Sequence, residues 1–326
     1  MELILTLDVG TTSVKACLFD RQLRQTALTS REYALQTRGV CAEVEAQVYL
    51  DAAAQCILSL PAEARARVCA VALTTQGETL LCVDRQGKAL RPAIVWLDSR
   101  AEAQAARLAA VLDRQRFYER TGLPELSGAL PLAKLLWLRE QEPESWARTD
   151  KFLLLEDYLM LWLTGRAVTE KSLLTSTGYF DLQSDDYWDE ALTLAGLDRT
   201  RLPQALACGS IVGPVLPEVA EALGLPASAC VVTGAMDQTA AALAAGCTRP
   251  GTLCETTGTA MVAAAFTAHP QFSEDHHVTI YRHAMPGAYL YLPISNTIGM
   301  SLRWFRDEFC RDLDGGYAAL DRLAEQ

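Results

Sequence analysis

Histidine is scarce in this 326-residue chain, with four in all, and the ten cysteines form no CxxC pair. A zinc site or a disulfide framework is therefore not expected. Cys17, Cys56, Cys69, Cys82, Cys230 and Cys254 lie in apolar runs and read as small buried thiols of a reducing compartment. No apolar run approaches the roughly 18 residues of a spanning helix. The N-terminus enters a strand-like run at Glu2 with no basic leader before it. Positive charge is also short: 29 Lys and Arg face 40 Asp and Glu, for a net charge of −11. A chain with no basic block is a poor nucleic-acid binder, and it lacks the basic amphipathic face of a membrane-surface protein. The expectation is a cytoplasmic protein with neither nucleic acid nor membrane as partner. The common phosphate loops, GxxxxGK[ST] and GxGxxG, are missing as well.

What is present has the composition of a globular protein, 50% hydrophobic and 21% charged, at a length that suits two domains. Glu2–Asp8 and Ser13–Asp20 are apolar runs joined by Gly10-Thr11-Thr12, a hairpin signal. Gln25–Tyr33 fits a third strand, Val48–Leu60 a helix, and Val68–Gln76 a buried strand with polar residues at its end. Residues 99–200 read as mostly helical, with Gly165 as a helix stop. Ala229–Gly246 predicts a strand, a turn and a helix of small residues. Gly251–Ala265 predicts a second strand–turn–strand, followed by strands near 278–283 and 288–292 and helices near 296–310 and 316–325. "DVGTTSV" and "ETTGTAM" echo each other as Thr/Gly turns between apolar strands.

Asp8 stands at the end of the first strand, where an unpaired carboxylate is costly to desolvate. Beside a glycine turn whose amides and Thr hydroxyls form an anion nest, it becomes useful with Mg²⁺, which takes carboxylate, water and phosphate oxygens. The alternative is a plain hairpin turn with a solvated Asp. Asp237, in "VVTGAMDQTAAA", is either a helix cap or a general base for an attacking hydroxyl, one of the few parts phosphoryl transfer needs. Thr257-Gly258-Thr259 is either a second phosphate turn or another hairpin. "TTQGET" and "AIVWLDSR" offer Gln76, Glu78, Trp96, Asp98 and Arg100. These groups suit a polyhydroxylated ligand, although each alone is more readily structural and Asp98 with Arg100 also makes a local ion pair.

In this order, "LDVGTTSVK", "TTQGETLLCVDRQGKALRPAIVWLDSRA", "GAMDQTAAALAAG" and "ETTGTAMV" resemble the motifs of the FGGY family of carbohydrate kinases, over nearly the whole chain. The resemblance implies an α/β, ribonuclease-H-like fold of the actin/hexokinase/Hsp70 type. Residues 1–247 would form the sugar-binding domain, and 248–326 the beginning of a nucleotide-binding domain that normally continues further and holds adenosine. It implies ATP and Mg²⁺ as cofactors, with Asp8 acting on the metal through water. Gly10, Thr11, Thr12, Ser13 and Lys15 on one side, and Thr257, Gly258 and Thr259 on the other, would hold phosphates. Gln76, Gly77, Glu78, Trp96 and Asp98 would face the sugar, together with Gln238 and the catalytic base Asp237. A homodimer is compatible with it.

Glycerol kinases carry Arg where this chain has Gly77, and xylulose kinases carry His where it has Glu78. A Gly followed by an acid is closer to kinases of short polyols such as tetritols. The expected activity is ATP-dependent phosphorylation of a small sugar or polyol, either a pentulose such as xylulose or a short polyol such as a tetritol or glycerol. The alternatives are a catalytically impaired sugar-binding fragment, or another enzyme of the superfamily such as an acyl-phosphate kinase or phosphatase.

Overall fold

A computed structural model of the chain describes residues 2–257, 261–275, 277–295, 298–311 and 316–325. Leu3–Val9 alternates, with Leu3, Leu5, Leu7 and Val9 buried and Ile4, Thr6 and Asp8 on the half-buried face. That period of two is what a strand requires. It pairs antiparallel with Ser13–Phe19 across the expected turn, and Gln25–Glu32 adds antiparallel outside. On its other side the pairing becomes parallel. Val68–Thr75 lies beside Leu3–Val9, and Cys230–Met236 lies beside Val68–Thr75. Ile211–Pro214 closes the six-stranded sheet antiparallel. Val9 and Met236 are both level with Thr75. Three strands thus end at one edge, followed by Gly10, Gln76 and Asp237.

The helix Ala46–Ser59 covers one face of this sheet. Its buried residues Tyr49, Ala53 and Ile57 recur at helical spacing and join Leu5, Leu7 and Val71 in one core. Each large apolar side chain buried this way stabilises the fold by roughly 1.5–3 kcal/mol. A second core forms around the helix Pro131–Gln141 and runs out to Ile280 and Leu290. Those two residues belong to an antiparallel sheet of Leu253–Thr257, Met261–Thr267, Tyr289–Tyr291 and Ile280–Arg282, with Ile294–Ser295 beside Met261–Thr267. This sheet is fastened to the helical region at Gly122, whose carbonyl accepts the Ile280 N–H at 2.8 Å, while the Tyr118 hydroxyl donates to the Val278 carbonyl at 2.8 Å. Gly122 has φ +75°, and a Cβ there would stand 2.2 Å from the Ile280 oxygen, so only glycine fits.

The 99–200 region is mostly helical as expected, but not entirely so, because Lys151–Leu154 is a strand paired antiparallel with Leu80–Val83. It runs straight into the helix Leu155–Thr164, and a continuous apolar run does not reveal where strand becomes helix. The cysteines are not uniformly buried either. Cys69 is exposed and Cys230 and Cys254 are half-buried; Cys69 falls on the outward phase of its strand. Among the described residues no helix is long and apolar enough to cross a membrane.

Asp157, on the helix Leu155–Thr164, is fully buried and accepts the Leu154 N–H at 2.7 Å. Burial pushes its carboxyl from 3.8 up to about 8. The unfolded chain gives up this proton near the lower value and the folded chain near the upper one, so the stability tied to Asp157 is lost as pH rises between them. Asp157→Asn keeps an oxygen acceptor and removes the ionisation. The variant should therefore lose less melting temperature than the parent between pH 5 and pH 8. Parallel melting curves for the two proteins would show that the assignment is wrong.

Candidate functional site

The three level strand ends assemble most of the residues singled out from the sequence. At the first, Gly10 N–H donates to the Ser13 carbonyl at 3.0 Å and closes the turn that carries Thr11 and Thr12. The Tyr33 hydroxyl donates to the Gly10 carbonyl and fixes the turn from outside. Asp8 keeps a side chain 41% accessible, with the Lys15 ammonium 3.4 Å away. An exposed pair of this kind contributes little to stability, so the carboxylate remains available. The Trp96 indole N–H donates to the Thr11 hydroxyl at 2.9 Å, which joins the phosphate-type turn to the "AIVWLDSR" segment.

At the second strand end, Gln76 N–H donates to the Val9 carbonyl at 3.0 Å. Its side-chain amide donates to the Tyr49 hydroxyl at 3.3 Å, while Oε1 is buried with no hydrogen-bond partner among the described residues. A Cβ on Gly77 would lie 3.3 Å from Ser176 Oγ and 3.4 Å from Met236 Sδ, so a larger residue there would have to displace both. Glu78 has φ +47°, unusual for a residue with a side chain, and such outliers cluster at functional sites. Burial pushes its carboxyl up to about 7. Lys134 works against that rise, the negative charge of Asp237 adds to it, and Tyr281 and Ser176 hydrogen-bond to the carboxylate.

At the third end, Asp237 opens the helix Asp237–Ala244. Its Oδ1 accepts the N–H of half-buried Gln238 at 2.7 Å. It does not cap the helix in the usual way, which would take the N–H two or three residues on. Burial raises its carboxyl to about 6, opposed by the Gln238 N–H and helped by the charge of Asp8. Glu78 therefore feels the charge of Asp237, and Asp237 that of Asp8. Two carboxyls raised by burial at one edge of a sheet are a mark of a functional site.

Asp98 does not fit the expected sugar contact. It is fully buried, takes the Ala42 N–H at 2.6 Å, and is paired with Arg100 at 2.7 Å. Arg100 also pairs with Glu43 at 2.7 Å and lies 4.9 Å from the Trp137 ring centroid. Both Asp98 oxygens are thus committed to the protein, and its role is structural. In the second Thr-Gly turn, the Thr257 backbone pairs with Met261, while Gly258 and Thr259 lie outside the described residues. A separate open cavity of about 760 Å³, bordered by Lys171, Tyr187 and Arg199, shares none of the site residues.

The profile of the FGGY family of carbohydrate kinases, N-terminal domain, matches residues 3–244. The chain belongs to the FGGY family of carbohydrate kinases. It is 30% identical to the xylulose kinase of Lactococcus lactis subsp. lactis over 96% of this chain and 63% of that protein. To the gluconokinase of Bacillus subtilis it is 27% identical over 94% of this chain and 60% of that protein. The crystal structure of xylulose kinase from Rhodospirillum rubrum superposes with a TM-score of 0.91 at 28% identity, covering 99% of this chain and 66% of the other. The chain thus spans about three fifths to two thirds of these FGGY proteins. Its fold is the α/β fold of the actin/hexokinase type that these kinases share.

Two further residues beside Glu78 escaped the sequence reading. Lys134 has no accessible surface and donates to the Val95 carbonyl at 2.9 Å. Burial lowers it to about 8, while the charges of Glu78 and Asp98 hold it up. A lysine inside "PLAKLLWL" was the available signal. Tyr281 lies on a strand of the other sheet and donates to Glu78 Oε1 at 3.5 Å; nothing in its local sequence marks it. The placement of Asp98 has a direct check. Asp98→Ala leaves Arg100 short of a buried partner and should cost roughly 3 kcal/mol in denaturant unfolding. Unchanged stability with lost ligand binding would return Asp98 to the sugar contacts.

Proposed function

We propose that the chain provides the sugar- and phosphate-binding site of an ATP-dependent kinase of a small sugar or polyol. The observation that carries this reading is the convergence of the Asp8–Thr12 turn, Gln76–Glu78 and Asp237 on the ends of three adjacent parallel strands. Open α/β sheets bind ligands at the carboxyl ends of their strands. Gln76 Oε1 and Glu78 supply acceptors for sugar hydroxyls, with Trp96 as an aromatic wall and Gly77 admitting close approach of the backbone. Relatives are named for xylulose and gluconate, five- and six-carbon compounds, and shorter polyols stay within the proposal. Glu78 beside Gly77 favours a linear polyol or ketose with several hydroxyls to donate.

In the reaction, Asp237 accepts the proton of the sugar hydroxyl as its oxygen attacks the γ-phosphorus. The bond from that phosphorus to the bridging oxygen breaks, and ADP leaves with the electron pair. Thr11 and Thr12 donate hydroxyls to phosphate oxygens, joined in this proposal by Ser13, Lys15, Thr257, Gly258 and Thr259. Among the described residues no group of three or more His, Cys, Asp or Glu is placed to cage a metal. A single accessible carboxylate, Asp8, beside a phosphate turn suits Mg²⁺, which keeps water and phosphate ligands. Bound there, the ion would offset negative charge on the phosphates. Residues 1–247 form the sugar domain in this reading, and 248–326 open the nucleotide domain.

Coupled ADP release with D-xylulose, D-gluconate, erythritol and glycerol tests the reading. One of them should turn over, and Asp237→Asn should lower kcat by about 10²–10⁴-fold with sugar binding retained. Full turnover in Asp237→Asn would remove it as the base. The pH profile of kcat/KM should fall on the acid side as Asp237 (about 6) and Glu78 (about 7) take up protons. In Glu78→Gln the component near 7 should vanish and the lower one remain. A profile unchanged by Glu78→Gln would place Glu78 outside the site.

A further inference from the structure

The strand that delivers Asp237 is not regular. Val232 stands opposite Ala72 and Ala235 opposite Thr74, so Thr233 and Gly234 together face Leu73. This is a β-bulge, one extra residue that bends the strand and re-aims the side chains after it. A one-residue shift turns every following side chain to the other face. Gly234 is required, because a Cβ there would lie 1.3 Å from the Leu73 carbonyl oxygen.

A bulge disrupts the ladder and frees backbone N–H groups, and a buried N–H without a partner costs about 1–3 kcal/mol. Here two N–H groups around the bulge are taken by side chains. Gly234 N–H donates to Glu156 Oε1 at 3.0 Å, and Met236 N–H donates to Ser172 Oγ at 3.2 Å. The Ser172 hydroxyl in turn donates to Glu170 Oε2, which also accepts the Ser172 and Leu173 N–H groups at 2.8 and 3.1 Å. Glu156, Glu170 and Ser172 are all fully buried, on segments that pack behind the bulged strand. Thr74 adds a bond from its hydroxyl to the Ala235 carbonyl at 2.8 Å.

We propose that Glu156 and the Glu170–Ser172 pair are positioning residues, which lock the Gly234 bulge and thereby aim Asp237 into the cleft. The role in catalysis rests on the reading of Asp237 as the base. Neither acid touches the reacting atoms; both act through two peptide N–H groups. Burial holds Glu156 well above the usual carboxylate range, and glutamine reproduces its shape and its carbonyl acceptor. Asp157 belongs to the same buried cluster but bonds Leu154, away from the bulge, and serves as the control.

The test uses the full chain and Glu156→Met, Glu156→Gln, Ser172→Ala and Asp157→Asn. The first readout is the pH titration of the Asp237 carboxyl by ¹³C NMR, assigned with Asp237→Asn. In Glu156→Met and Ser172→Ala its midpoint should fall from about 6 toward the ordinary 3.8, as the side chain swings out to water. Glu156→Gln and Asp157→Asn should leave it in place. The second readout is turnover of the substrate found among D-xylulose, D-gluconate, erythritol and glycerol. Glu156→Met and Ser172→Ala should lose roughly 10–100-fold in kcat with little change in sugar KM, the scale of a misplaced catalytic group, and glutamine at 156 should restore the rate. An Asp237 midpoint indifferent to Glu156→Met and Ser172→Ala, in proteins that fold, overturns the proposal. So does a midpoint moved equally by Asp157→Asn. If the parent chain turns over none of the four compounds, the kinase reading falls, and the titration alone still decides whether these residues position Asp237.

Discussion

Parallel pairing of Leu3–Val9, Val68–Thr75 and Cys230–Met236 obliges three chain ends to emerge on one edge at one level. The rest of the molecule answers to that requirement. The hairpin Ser13–Phe19 and the strand Gln25–Glu32 extend the sheet away from the edge, and the helix Ala46–Ser59 seals its face. Each chain end then turns differently. The first makes a tight turn at Gly10, the second a left-handed kink at Glu78, and the third enters a helix at Asp237. Polar side chains gather there because the strands can place them nowhere else without breaking the core.

The electrostatic consequence is that carboxylates crowd a region of low water access. Glu78 and Asp237 are both raised by burial and repel each other. The molecule offsets this with the buried cation of Lys134 and with hydroxyls from Ser176 and Tyr281. Behind the site the opposite solution is used. Among the described residues Glu156 and Asp157 have no ion-pair partner, and burial raises both carboxyls well above the usual carboxylate range. An ionised group stays inside a protein only where something compensates it: Glu78 has the charge of Lys134 nearby, whereas Glu156 has the Gly234 N–H.

Much of this was legible in the chain. The apolar runs on either side of the Thr/Gly turn pointed to the first hairpin, and the apolar run before Asp237 to its strand. Helix boundaries near 46–60, 298–309 and 316–324 fell close to expectation. Three things resisted, each for a physical reason. The join between Lys151–Leu154 and Leu155–Thr164 lies inside one apolar run, where periodicity is silent. Asp98 read as a ligand contact because it ends an apolar run with polar groups around it; the Arg100 ion pair was the visible alternative, but the Ala42 N–H that completes its shell lies 56 residues away. Lys134, Tyr281 and the bulge acids act across elements distant in sequence, and no local spacing encodes such meetings. The resemblance to a known family named the turn residues but gave no account of what holds them.

The hydrogen bond from the Trp96 indole to the Thr11 hydroxyl joins two loops with different tasks. Thr11 accepts from the indole, which leaves its own proton free to be donated elsewhere. A ligand that draws on that proton polarises the indole contact, and a ligand that presses on the indole re-aims the hydroxyl. Influence between the two loops is therefore mutual, as linkage demands. The ring that carries it is also a chromophore, so its emission would report on the contact between these two loops.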